Sequence, residues 1–99
     1  MWRQGDVLLA PIDTIPENVT RRSDLVLAEG EITGHRHRIS EENAAELWAD
    51  ENGILYLKII APTATLIHDE HKTISLQQGL YRVWRQREYT PERPRNVYD

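Results

Sequence analysis

Turn-forming residues interrupt this chain so often that its apolar residues fall into runs of strand length. Gly5-Asp6 precedes Val7-Leu8-Leu9-Ala10-Pro11-Ile12, a short apolar run that reads as a strand. Asp13 to Thr20, with Pro16 and Asn18, reads as a loop. Leu25-Val26-Leu27-Ala28 is a second strand, Glu29-Gly30-Glu31 a bulge or turn, and Ile32 to Ile39 resumes in extended form. Ser40 can cap a short helical turn at Glu41-Glu42. Asn43 to Trp48 suits either a helical turn or a strand, and the segment after it tips the balance to a strand. Asn52-Gly53 supplies the positive φ angles of a type I′ hairpin, and Ile54 to Ile60 alternates beyond it, so Leu47-Trp48 should pair with that strand. Ala61-Pro62-Thr63 breaks the chain, and Ala64 to Ile67 forms another short strand. Thr73 to Leu76 alternates, Gln77-Gln78-Gly79 is a turn, and Leu80 to Arg87 alternates again. The expected fold is all-β, a small barrel or sandwich of about seven or eight short strands with little helix.

The 99 residues suit one domain, expected over residues 1–90, with an irregular Pro- and Arg-rich tail over 91–99. A hydrophobic fraction of 39% predicts a thin core, or one that a partner chain completes. With no Phe, the three Trp and four Tyr carry all aromatic packing, and Trp2, Trp48 and Trp84 are expected in the core or at a subunit interface. The absence of cysteine excludes disulfides, thiolate catalysis and Cys-ligated zinc or iron–sulfur centres. No signal-peptide-like segment opens the chain and no run approaches the ~20 apolar residues of a membrane span, so a cytoplasmic location away from membranes is expected. The net charge of −4 argues against a basic nucleic-acid-binding body, but the charge is uneven. Residues 41–51 carry five acidic side chains and no Lys or Arg, whereas Arg82, Arg85, Arg87, Arg93 and Arg95 crowd the C-terminal part.

The four histidines fall into two tight clusters. His35 and His37 sit two apart in Thr33-Gly34-His35-Arg36-His37-Arg38, a spacing that puts both on one face of a strand with Arg36 and Arg38 on the other. His68 and His71 sit three apart in His68-Asp69-Glu70-His71, which converges on one side of a turn. Two chelating pairs can assemble a three- or four-ligand site for zinc, iron, manganese, nickel or copper, all of which accept imidazole. Glu70 and Glu31 are nearby carboxylates able to ligate, to orient a histidine or to act as general base, and Gly34 permits close backbone approach. The competing structural interpretation is that these are surface or satisfied core histidines and a solvated polar turn.

A strand-borne His-x-His followed by Glu, formed here by His35, His37 and Glu41, resembles the first motif of the cupin superfamily. The likeness covers about residues 30–41 and implies a small metal-binding β-barrel; the expected architecture is thus cupin-like or, from the short strands alone, SH3-like. The leading glycine is displaced to Gly30, no glycine follows Glu41 at the spacing of the motif, and Arg82 stands where the second motif would have a histidine. The layout is also similar to that of small bacterial and phage proteins with both histidine clusters, a likeness that implies no function.

Tyr81 to Tyr89 interleaves arginines with aromatics, a pattern suited to phosphate binding and base stacking. Three functions are therefore compatible with the residues. The first is a metal site built from His35, His37, His68 and His71, with metal-dependent hydrolysis as its chemistry. The second is metal-free cleavage of RNA or a small nucleotide, with two of the histidines, His35 and His37 foremost, as acid and base, Glu70 in support and Arg82, Arg85 or Arg87 stabilising charge. The third is a non-enzymatic interaction or regulatory module whose histidines are merely surface residues. The plainer reading of the arginines is that Arg85 and Arg87 pair with the acidic segment 41–51, and the tail is expected to pack along a sheet edge or swap onto a partner in a homodimer.

Overall fold

A computed structural model describes residues 1–29 and 35–86. Among these residues there is no helix. Eight strands form one antiparallel sheet that curls into a half-barrel: β1 (Trp2–Gln4), β2 (Val7–Ile12), β3 (Thr20–Arg21), β4 (Val26–Glu29), β5 (Arg36–Ile39), β6 (Ala45–Ala49), β7 (Leu55–Ile67) and β8 (Ile74–Arg85). The main path runs β1-β2-β8-β7-β5-β4, with β6 also on β7 and β3 on β6. The all-β expectation holds, but two of the strands are long rather than short.

β7 and β8 are the spine. They span 13 and 12 residues because the two predicted breaks are bends within continuous strands. Between Ile59 and Thr63 the register shifts, so Ala61-Pro62 bulges instead of ending the strand. Pro62 has no N–H to give a ladder, and a bulge is a position that tolerates it. Opposite, Gly79 pairs with Ile59 at φ 151°, backbone that only glycine adopts readily, so Gln77-Gln78-Gly79 bends β8 without turning it back. The bend divides the partners of β7: β6 pairs with Leu55 to Ile59, and β5 pairs with Leu66 and Ile67.

Leu47 opposes Leu57 and Trp48 opposes Tyr56, as the hairpin signal requires. The loop between them is longer than a two-residue type I′ turn. Gly53 N donates to Asp50 O, Asp50 N donates to Ile54 O, and Gly53 sits at φ 85°. The Asp50 carboxylate also accepts from the N–H groups of Asn52 and Ile54, fixing a three-residue loop between Asp50 and Ile54. After Ser40 the chain makes only one tight turn, Ala44 N donating to Glu41 O at 3.1 Å, and no helix follows. Ser40 N donates to Thr65 O and both oxygens of Glu41 accept from Thr65, so the segment is tied sideways to β7.

The inner face holds Val7, Leu9, Leu47, Leu57, Ile59, Leu66, Leu76 and Val83, all essentially free of solvent contact. Each such Leu or Ile contributes roughly 1.5–3 kcal/mol. Of the tryptophans, Trp2 packs against this core, edge-on to Tyr81 at 5.5 Å. Trp48 and Trp84 instead lie half-buried beneath the guanidinium groups of Arg21 and Arg82, at 5.4 and 4.9 Å. Tyr56, aligned with both Trp48 and Arg82, places these two pairs on the outer face. Two polar residues are buried with the core, Gln4 and His37. Leu57→Ala should lower stability by about 2–5 kcal/mol in urea unfolding, whereas Ile60→Ser, at a position 42% exposed, should stay within about 0.5 kcal/mol of wild type.

Candidate functional site

β5 alternates as its sequence requires: Arg36 and Arg38 are exposed and His37 is buried. The pairs Arg38↔Ile67 and Ile39↔Leu66 fix the register between β5 and β7. One step further, the same register brings His37 level with His68, just past the end of β7. The connection from β7 to β8 then turns so that His71 folds back beside His68. The ring centroids of His37 and His68 are 4.2 Å apart, those of His68 and His71 4.7 Å, and those of His37 and His71 5.7 Å. His35 stands at the margin, its ring 6.0 Å from that of His68. The two histidine pairs therefore converge, with His68 as the central ring.

A third element completes the cluster, and the histidine spacing gave no sign of it. β1 and β2 are joined by the two-residue loop Gly5-Asp6, with Gln4 opposite Val7 and Gly5 at φ 63°. All three of Gln4, Gly5 and Asp6 meet the histidines. Gln4 Nε2 donates to the carbonyl oxygens of Leu66 (3.0 Å) and Lys72 (2.8 Å), which fixes the orientation of its amide. Its Oε1 then faces His37 Nδ1 at 2.9 Å and can only accept, so His37 carries its proton on Nδ1 and leaves Nε2 with a lone pair. Asp6 Oδ1 lies 3.7 Å from that Nε2. Gly5 passes so close that a Cβ on it would lie 2.7 Å from His71 Nε2 and 3.2 Å from His37 Cε1. Glycine serves twice here, through its positive φ and its lack of a side chain.

Arg85, across the β2–β8 ladder from Val7, donates to Asp6 Oδ2 from Nε (3.0 Å) and Nη2 (2.8 Å). It therefore pairs with Asp6 and not with the acidic segment 41–51. Arg87, Glu31, Gly34 and the tail fall outside the described residues. Burial raises the Asp6 carboxyl, but the hydrogen bond and charge of Arg85 outweigh it and hold the group below the usual aspartate range. His37 is pushed down to about 4, chiefly by burial and then by the neighbouring His68, against the opposing pull of Asp6. At neutral pH the centre thus contains a neutral imidazole with a free Nε2 beside an ionised carboxylate. Glu70 belongs to the margin: its carboxylate faces His35 Nδ1 at 3.6 Å, Asp69 faces His35 Nε2 at 3.8 Å, and its backbone N–H donates to His68 Nδ1 at 3.0 Å. Among the described residues, no three His, Asp or Glu side chains already stand in a metal-holding arrangement. His71 is exposed, so a rotation of its side chain can tighten the set.

Replacing Gln4 by Leu would leave His37 Nδ1–H and two carbonyls without their partner. A loss of about 2–4 kcal/mol in urea unfolding is expected, against under about 0.5 kcal/mol for the exposed Arg36→Ala. The depressed His37 value also carries a pH dependence, because the unfolded chain takes up this proton more readily than the folded one. The stabilisation is complete above about pH 6.5 and falls away towards pH 4, by on the order of 3 kcal/mol in total. Urea unfolding of metal-free protein across this range should show a steeper acid loss for wild type than for His37→Gln.

No curated protein and no solved structure matches the chain. Residues 3–86 match a family described as a domain of unknown function, DUF8820, a stretch that contains every residue of the histidine cluster and its support. The chain belongs to the DUF8820 family.

Proposed function

We propose that this protein binds a transition metal ion, with His37 Nε2 as its anchoring ligand and His71 and Asp6 Oδ1 completing the protein's share of the site. The observation that carries the reading is the Gln4–His37 hydrogen bond. A metal-ligating histidine characteristically donates its other ring N–H to a carbonyl or carboxylate, which fixes the tautomer and the ring plane. Gln4 does this for His37 and is itself held by two backbone carbonyls. Arg85 does the equivalent for Asp6 by occupying Oδ2 and leaving Oδ1 turned to His37. The 3.7 Å between Asp6 Oδ1 and His37 Nε2 is a little wider than the ~3.3 Å between neighbouring ligands of a tetrahedral zinc.

Two imidazoles and one carboxylate suit zinc, iron, manganese or nickel, and leave a position open for water or substrate. Hydrolysis is the chemistry such a site supports most directly, through an activated water. The metal-free nucleotide-cleaving alternative has less support. A general base works best with a pKa near the working pH, whereas His37 lies at about 4 and Arg85 is committed to Asp6.

Elemental analysis of untagged protein, dialysed against chelator and then loaded with zinc, is expected to give about one metal per chain. His37→Ala and His71→Ala should each lower the affinity by about 10–100-fold or more, and His35→Ala much less. Absence of uptake by wild type, or undiminished stoichiometric binding by both His37→Ala and His71→Ala, would overturn the reading.

A further inference from the structure

We infer that His68, the central ring of the cluster, is not a metal ligand but the site's hydrogen-bond donor, placed to hold an anion that occupies the open metal position. The inference rests on the metal-binding reading above and adds a role within the site. It follows from proton placement. The Glu70 backbone N–H donates to His68 Nδ1 at 3.0 Å, so that nitrogen uses its lone pair as an acceptor. A neutral His68 must then carry its proton on Nε2. Gln4 imposes the opposite tautomer on His37. Two imidazoles with centroids 4.2 Å apart thus present complementary nitrogens, a lone pair on His37 and an N–H on His68.

For His68 to ligate through Nε2 with the Glu70 bond intact, it would have to become an imidazolate. Ligation through Nδ1 would sacrifice the Glu70 bond. Neither cost falls on His37 or on His71, which makes no side-chain hydrogen bond among the described residues. The position of His68 suits a donor as well. Its ring is half-buried and lies 4.2 Å from that of His37 and 4.7 Å from that of His71, centroid to centroid, so its N–H borders the same cluster. The ligand class this favours has an anionic atom able to accept the N–H: hydroxide, or an oxygen of a carboxylate or phosphate. A neutral ligand without an acceptor would leave the His68 proton unused.

Cobalt(II)-loaded protein tests this through its visible spectrum, with azide as the probe anion. Wild type and His68→Ala should bind cobalt with affinities within about threefold of one another. His68→Ala should bind azide roughly 10–100-fold more weakly, since a hydrogen bond to a charged group is lost. His68→Gln, whose amide can donate, should recover part of that loss. Failure of wild type to bind cobalt would overturn the metal reading itself. Loss of cobalt in both His68 variants, with wild type loaded, would make His68 a ligand and overturn this inference alone. Equal azide affinity in wild type and His68→Ala would overturn it as well.

Discussion

The Gln4 side chain is the contact on which the rest of the site depends. Its amide has one acceptor and two donor hydrogens, and all three are in use: His37 on the acceptor, Leu66 and Lys72 on the donors. A buried amide left half-bonded costs free energy, so this arrangement is specified by polar satisfaction as much as by packing. It joins three parts of the chain that are distant in sequence. β1 supplies Gln4, β5 supplies His37, and β7 with its exit loop supplies the carbonyls. The same bonds that tie β1 across the inner face also choose the His37 tautomer, so fold closure and site chemistry are one set of interactions.

The curl of the sheet makes this contact possible. A flat eight-stranded sheet would keep Gln4 of β1 far from the β7–β8 connection, because β2 and β8 lie between them. The paired irregularities at Ala61-Pro62 and Gly79 bend the β7–β8 spine and split its neighbours between β6 and β5. The β1–β2 turn, the end of β5 and the β7–β8 connection consequently gather at one end of the half-barrel. Arg85 directs its charge onto Asp6 there by a two-donor contact.

Much of this was legible in the sequence where a periodic pattern met a strand. The exposed arginines and buried His37 of β5 follow directly from alternation, and the convergence of His68 with His71 follows from their spacing. The Leu47–Leu57 pairing was legible from the Asn-Gly signal, although Asp50 builds a longer loop there. What escaped were interactions with no local signature. A single Gln before a Gly-Asp turn looks like any polar strand end, and its worth lies in carbonyls more than sixty residues away. Gly5-Asp6 marked a turn, but only the two-residue hairpin between β1 and β2 reveals that Asp6 faces His37. Pro62 and Gly79 read as chain breaks because local propensity does not distinguish a bulge within a long strand from its end.

The most direct test of the account is long-range proton–nitrogen NMR of the imidazole rings near pH 7, recorded without metal and after one equivalent of zinc. The account requires a protonated Nδ1 and a bare Nε2 on His37, the reverse arrangement on His68, and a zinc-induced shift at His37 Nε2 while His68 keeps its Nε2 proton. A His37 ring protonated on Nε2, or one whose nitrogens do not respond to zinc, would contradict it.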